Sequence, residues 1–427
     1  MEPGWRALTA LLGVLAFDDI WNVSPMVRYG LLSLRHRGDS IYLLCYSDGA
    51  EVSCEEFKSL SKMSSRSYSV AVAGVLRSRQ ASSVYAMGEA SGRRVAVIDS
   101  REYEDLEEGA SAIASAMASD RLEKWLDLFE KPELADDLPS FIALTDRGDV
   151  IAYRDSLGLT PLALGGYGFD LAIVASESSA IDVLDGDVKR HLEPGESILV
   201  SRRLVKSWRT RARPVGLCLF ELLYMARHDS IVDGVSVYEF RKALGARLAD
   251  RMQQRERVDV VVGVPESATP YAIGLANALR KPYDIAFVPT KRVRSMLKSS
   301  PLHKLIAIHL KMNPIRSSIE GKRVAIVDDS MVTGATAKTV SQLLRLRIGA
   351  EEVHFLVASP PIVEKCPYSL MKFDKDSLVA ANLTSSDIED YLEVDSLTWL
   401  SLEDVRREAE ARGIRVCDKC FGSVRER

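Results

Sequence analysis

The stretch Arg323-Val-Ala-Ile-Val-Asp-Asp-Ser-Met-Val-Thr-Gly-Ala-Thr336 leaves this chain few folds to choose from. Val324 to Val327 is an unbroken apolar run, the pattern of a parallel strand buried on both faces. Asp328 and Asp329 close it, and a turn with Thr333, Gly334 and Thr336 follows. Val340, Leu343, Leu344 and Ile348 then recur at helical spacing until Gly349 ends the helix. Ligands of open α/β sheets bind at the carboxyl ends of strands. Free N–H groups in a turn and first helical turn, helped by the helix dipole, can surround a phosphate there. Gly334 and Ala335 leave it room. Two carboxylates at that place accept hydrogen bonds from vicinal ribose hydroxyls or help to hold a cation. Alone, the Asp pair reads equally well as helix capping.

The complete string is more specific. It resembles the PRPP-binding signature of type I phosphoribosyltransferases: apolar run, Asp-Asp, four residues, then Gly-x-Thr. The resemblance implies that Asp328 and Asp329 meet the ribose and that Ser330, Thr333, Gly334, Ala335 and Thr336 hold the 5-phosphate.

The 427 residues are enough for two or three domains, and a hydrophobic share of 47% supplies their cores. A net charge of -4 argues against general nucleic-acid affinity. No apolar run reaches membrane-spanning length. Ala7 to Phe17, behind Arg6, has some features of a signal segment but no small-x-small cleavage site, so a buried first strand is expected. Six cysteines in a chain this long do not make a disulfide scaffold; clustered ones point to metal. Asn and Gln total eight, a composition leaning towards thermophilic proteins.

Residues 1–208 read as short strands with a few helices. Leu11 to Phe17, Ser40 to Tyr46, Tyr68 to Leu76, Arg94 to Ile98 and Phe141 to Leu144 are strand-like. Asp48-Gly49 and Arg147-Gly148-Asp149 mark hairpin turns. Glu107 to Ala118 and Asp120 to Phe129 are expected to be helical. Arg154-Asp-Ser-Leu-Gly-Leu-Thr-Pro-Leu162 and Val174-Ala-Ser-Glu-Ser178 resemble the glutaminase domain of glutamine PRPP amidotransferases, and Leu34-Arg-His-Arg-Gly38 resembles its early helix. That family implies an αββα four-layer sandwich of the N-terminal-nucleophile hydrolase class. Behind it comes a type I phosphoribosyltransferase domain with a parallel sheet. The domains expected are 1–208, 209–375 and a helical tail, 376–427, with a linker at Lys206 to Pro214.

The glutaminase chemistry of the family needs an N-terminal cysteine, whose thiolate attacks the glutamine amide. Its Cys-Gly-x-x-Gly start aligns with Leu12-Gly-Val-Leu-Ala16, so Leu12 stands where the nucleophile would be. Cys45 and Cys54 read as small buried or half-buried apolar residues. Of the family's substrate loop only the arginine remains, in Arg77-Ser-Arg-Gln80. The oxyanion-hole Asn-Gly falls near Asp99-Ser100, where an anionic Asp would repel the developing charge. The resemblance therefore implies a degenerate glutaminase kept as scaffold.

The second half matches the family at Leu217-Cys-Leu-Phe-Glu-Leu-Leu-Tyr-Met-Ala-Arg227, Asp229-Ser230 and Val235 to Glu239. His228 departs from it, since the family usually has proline there. A helix is expected over Val237 to Arg255, a strand over Val260 to Val264, and a helix over Tyr271 to Leu279. Between the last two lies Pro265-Glu-Ser-Ala-Thr-Pro270, which reads on its own as the capped start of a helix. In the family this loop holds the pyrophosphate of PRPP, here through Glu266, Ser267, Ala268 and Thr269. Ser267, Asp328 and Asp329 match the family's magnesium positions. The basic run Lys291 to Lys304 aligns with the family's lid and offers Lys291 and Arg292 to the phosphates, though Pro289-Thr-Lys-Arg292 lacks the family's tyrosine. Lys311 to Arg316 returns to its pattern.

Cys417-Asp-Lys-Cys420 is by itself an ambiguous pair. With Cys218 and Cys366 it matches the positions at which some family members carry a 4Fe-4S cluster, and tetrahedral zinc remains open. The cluster is expected to anchor a tail that otherwise has none. Helices are expected over Ser386 to Leu392 and Leu402 to Arg412, capped by Ser385 and Ser401. The resemblance implies an ammonia-dependent amidophosphoribosyltransferase of purine biosynthesis: cytoplasmic, homo-oligomeric, and served by free ammonia or an ammonia-supplying protein. The alternative is an inactive PRPP-binding regulator or partner subunit.

Overall fold

The computed structural model describes residues 9–38, 41–63, 66–76, 84–101, 106–118, 138–210, 212–288, 312–371 and 373–424. The expected helix 120–129, the Arg77–Gln80 loop and the basic run 291–304, with Lys291 and Arg292, lie outside the described residues.

Strand Ala10–Ala16 explains the first half. All seven of its residues are buried because both of its faces are covered. Leu11 and Leu15 join Val72, Ile98, Ile142, Leu144 and Ile198 in a core between two sheets. Leu12 and Val14 point the other way and pack on Val27 and Leu31 of helix Ser24–Ser33. The second sheet turns Val95 and Val97 outward onto Ala110, Ile113 and Ala114 of helix Leu106–Ala118. Helix, seven-stranded antiparallel sheet, six-stranded antiparallel sheet and helix make the expected four layers.

Three local expectations change. Cys45 and Cys54 are joined by a disulfide. The Asp48-Gly49 turn sets a hairpin register in which the two residues stand directly opposite, a pairing that side-chain polarity alone does not reveal. Leu34 to Gly38 lies just beyond helix Ser24–Ser33 rather than in it. Lys206 to Arg209 is not linker: strand Val205–Arg209 pairs with Glu196–Val200 at the sheet edge.

The second half is built on a parallel sheet in the order Val260–Gly263, Arg323–Asp328, Glu352–Val357, Ser396–Trp399. Helix Val237–Arg251 stops short of its expected end, with its cap hydrogen bond from Met252 to Leu248. It crosses helix Thr269–Leu279 at backbone contact. A Cβ on Gly245 would lie 2.0 Å from the Tyr271 carbonyl oxygen, and one on Gly274 would lie 1.9 Å from that of Lys242. No other residue fits at either position.

The tail has more anchors than expected. Ser396–Trp399 is the fourth strand of the sheet. Arg251, in helix Val237–Arg251, bonds Asp404 and Ser401 at the start of helix Leu402–Glu410. Ser401 caps that helix as expected, but helix Ser385–Leu392 is capped one residue earlier, by Thr384 in a capping box with Asp387. Among the described residues no helix is long and apolar enough to cross a membrane.

Candidate active site

Two loops leave neighbouring parallel strands on the same sheet edge. Val260–Gly263 leads into the Pro265–Ala268 loop, and Arg323–Asp328 leads into Asp329–Gly334. Val264 N–H donates to the Val327 carbonyl at 2.8 Å and holds the strand ends level. The loops then meet, because Ser267 on one stands beside the Asp329 carboxylate on the other and favours its charged form. Ser330 Oγ bonds the same carboxylate at 2.6 Å. The sequence-derived residues Ser267, Asp328, Asp329 and Ser330 therefore form one group.

Asp328 and Asp329 are 6% and 4% exposed. Asp328 Oδ1 accepts from the Asp329 N–H at 2.9 Å. Burial pushes the Asp329 carboxyl above its ordinary value, against the pull of Ser267, Ser330 and the Arg241 charge. Gly334 has φ 75° and opens helix Ala335–Gln342. Thr333 Oγ1 accepts from the Ala335 N–H at 3.3 Å, and Ala335 and Thr336 are exposed. Among the described residues no main-chain carbonyl accepts from the N–H groups of Met331 to Gly334. That row of donors suits an anion.

The other loop is less open than expected. Its Ser267 and Ala268 N–H groups already donate to Pro265 and Val264 carbonyls, at 3.1 and 3.4 Å. Glu266 is exposed with φ 69°, and Thr269 begins the helix. Sequence reasoning missed Arg241. This 1%-exposed arginine donates to the Leu222 and Ala226 carbonyls and lies 2.8 Å from His228 Nδ1. Its signal was a charge set between Phe240 and Leu244 on the apolar face of a helix.

At the expected glutaminase site, Leu12 is wholly buried in mid-strand, with strands Leu171–Ala175 and Val70–Leu76 on either side. Asp99 is 1% exposed, and burial raises its carboxyl well above the usual range. Burial thus works against the anionic form on which the expected repulsion of an oxyanion depends. The motif residues of this half look elsewhere. Arg154 clasps Asp233 through two 2.7 Å bonds, and Glu177 accepts from Arg37, the Arg227 N–H and Ser230 Oγ. They fasten the first half to the second.

All four remaining cysteines are free. Cys218 and Cys417 are register partners in a short parallel pair, and the Cys420 carbonyl accepts from the Val363 and Glu364 N–H groups. Burial first, then the neighbouring sulfurs, push the Cys218 thiol up and that of Cys420 to about 12. Among the described residues, however, no three His, Cys, Asp or Glu side chains are gathered as ligands of a metal ion.

A sandwich of two antiparallel sheets joined to a parallel-sheet domain with two loops at one strand edge defines an amidotransferase-type phosphoribosyltransferase. The phosphoribosyl transferase domain family matches residues 237–361. The amidophosphoribosyltransferase of Methanothermobacter thermautotrophicus is 31% identical over 458 aligned positions, covering 99% of this chain and 94% of that protein. The Synechococcus elongatus amidophosphoribosyltransferase is 36% identical over 274 residues, a match spanning 63% of this chain but only 55% of that protein. The structure of glutamine PRPP amidotransferase from B. subtilis complexed with ADP and GMP aligns with a TM-score of 0.81 at 26% identity, covering 96% of each chain. The chain belongs to the amidophosphoribosyltransferase family.

Proposed function

We propose that this protein binds PRPP with Mg²⁺ and transfers ammonia to its C1 carbon, giving 5-phosphoribosylamine and pyrophosphate, without hydrolysing glutamine itself. The observation that supports this reading is the approach of Ser267 to the Asp329 carboxylate, which joins the loops leaving two neighbouring parallel strands. There Asp328 and Asp329 orient the ribose, and the Met331–Gly334 amides take the 5-phosphate. Glu266, Ser267, Ala268 and Thr269 face the pyrophosphate. Lys291 and Arg292 belong to the lid that would screen the phosphates from water.

The donor set suits magnesium: two carboxylates and a hydroxyl, all oxygen, with one carboxyl made reluctant to ionise by burial. Ser267, Asp328 and Asp329 would hold the ion, which when bound neutralises the departing pyrophosphate. Cys218, Cys366, Cys417 and Cys420 lie near enough to influence one another's thiols, and a bound metal centre would favour their thiolate forms. A zinc site needs thiolates about 2.3 Å from one ion, hence sulfurs gathered tightly. The 4Fe-4S reading rests on the match of the four cysteines to the family's positions, with zinc as the runner-up. Residues 1–208 serve as scaffold to the synthase unit.

The test is purified protein with PRPP and Mg²⁺, following pyrophosphate release with ammonia, glutamine or neither. Ammonia-only turnover is expected, and glutamine-driven turnover overturns the scaffold reading. A PRPP-binding regulator or partner subunit is the second reading. The inward-turned Ser267 and Ala268 amides favour it, and binding without turnover would establish it.

A further inference from the structure

The peptide between Glu266 and Ser267 is gripped at both ends. Its carbonyl oxygen lies 2.7 Å from His228 Nε2. Its N–H donates to the Pro265 carbonyl at 3.1 Å, an i→i+2 bond about a residue with φ 69°. That is the rare, strained form of the γ-turn, centred on a non-glycine residue. A trans peptide points its C=O and N–H in opposite directions. While His228 holds the oxygen, the Ser267 N–H stays turned inward and cannot meet an anion.

The neighbours of His228 fix its tautomer. Arg241 Nη1 is 2.8 Å from Nδ1, and a guanidinium only donates. The Glu266 carbonyl only accepts. A neutral imidazole protonated at Nε2 satisfies both. Burial, then the Arg241 charge, push His228 below its ordinary value, which keeps the ring neutral. Arg241 is itself fixed by two main-chain carbonyls.

We propose that His228 is a positioning residue that latches the pyrophosphate loop in its inward-amide shape. PRPP or pyrophosphate then binds only by breaking the His228–Glu266 bond and turning the Ser267 N–H outward. The inference rests on the reading of this loop as the pyrophosphate site.

Three variants test it: His228→Ala, the bulk-preserving His228→Met, and His228→Gln, which keeps an acceptor towards Arg241 and a donor towards Glu266. Hydrogen exchange at the Ser267 amide, without ligand, reads the latch directly. It should be several-fold faster in the Ala and Met variants and native-like in Gln. Calorimetry with magnesium pyrophosphate reads the consequence: roughly 3- to 10-fold tighter binding in Ala and Met, the worth of one hydrogen bond, with KM for PRPP falling more than kcat changes. Unchanged exchange, or binding no tighter in both variants, overturns the latch. Should no protein, native included, bind pyrophosphate or PRPP while exchange still quickens, the function reading is what fails, and the ligand-gating role falls with it.

Discussion

Arg37 of the first domain and Glu221 of the second meet in a site closed to water, with Arg37 Nη1 donating to Glu221 Oε1 at 3.0 Å and neither residue more than 1% exposed. The same guanidinium bonds Glu177 through Nε. Removing one partner leaves an uncompensated buried charge. Arg37→Met should therefore lose about 3–5 kcal/mol of stability, read as a lower midpoint in urea. A midpoint within error of native would show that the clasp does not join the domains energetically.

Acid should loosen the same seam. Burial raises the Glu177 carboxyl, but Arg37 and His36 prevail and hold it far below the usual range. A depressed carboxylate contributes stability that is complete above its unfolded pKa and lost as pH falls towards the folded one. Glu177→Gln should flatten stability against pH below about 4.5, measured by melting temperature between pH 3 and 7.

Asp329→Asn should weaken PRPP binding at least about tenfold, in keeping with the loss of a charged contact. The unliganded variant should melt at or above the native temperature. The raised pKa of Asp329 means that its ionisation opposes folding as pH rises, and Asn removes that opposition. Normal PRPP affinity in calorimetry would move the site elsewhere.

Asp99 carries the same sign more strongly. The unfolded chain gives up this proton near pH 4 while the folded chain keeps it, so stability falls as pH climbs from there. Asp99→Asn should raise the melting temperature at pH 8 and leave it nearly unchanged at pH 4. It should restore no glutaminase, since Leu12 offers no nucleophile.

Thiol titration of the denatured protein should find four thiols before reductant and six after, because Cys45–Cys54 alone is bonded. Reducing that short loop should lower stability by about 2–3 kcal/mol. On the cluster reading, Cys420→Ser should bleach anaerobically purified protein and lower its iron content; colourless native protein containing zinc would reverse the assignment.

The buried strand at Val324–Val327 and the turn at Gly334 could be read from residues alone, because apolar runs and positive-φ glycines have local causes. The structure extends that strand by only one residue at each end, to Arg323 and Asp328. Edge strands were harder. Asp187–His191 and Val205–Arg209 bury one side at most and show no apolar alternation. The Cys45–Cys54 bond depends on hairpin register, and the roles of Arg37, Arg154 and Glu177 depend on partners 50 to 184 residues away. No local pattern contains such information.

The backbone contact of Gly245 with Tyr271, and of Gly274 with Lys242, has a mechanical consequence. One of these helices carries Arg241, and the other begins at the Pro265–Ala268 loop. With no side chains between them to deform, the pair behaves as a solid wedge. A displacement of one helix is therefore passed to the other as a shift of the whole pair rather than absorbed between them.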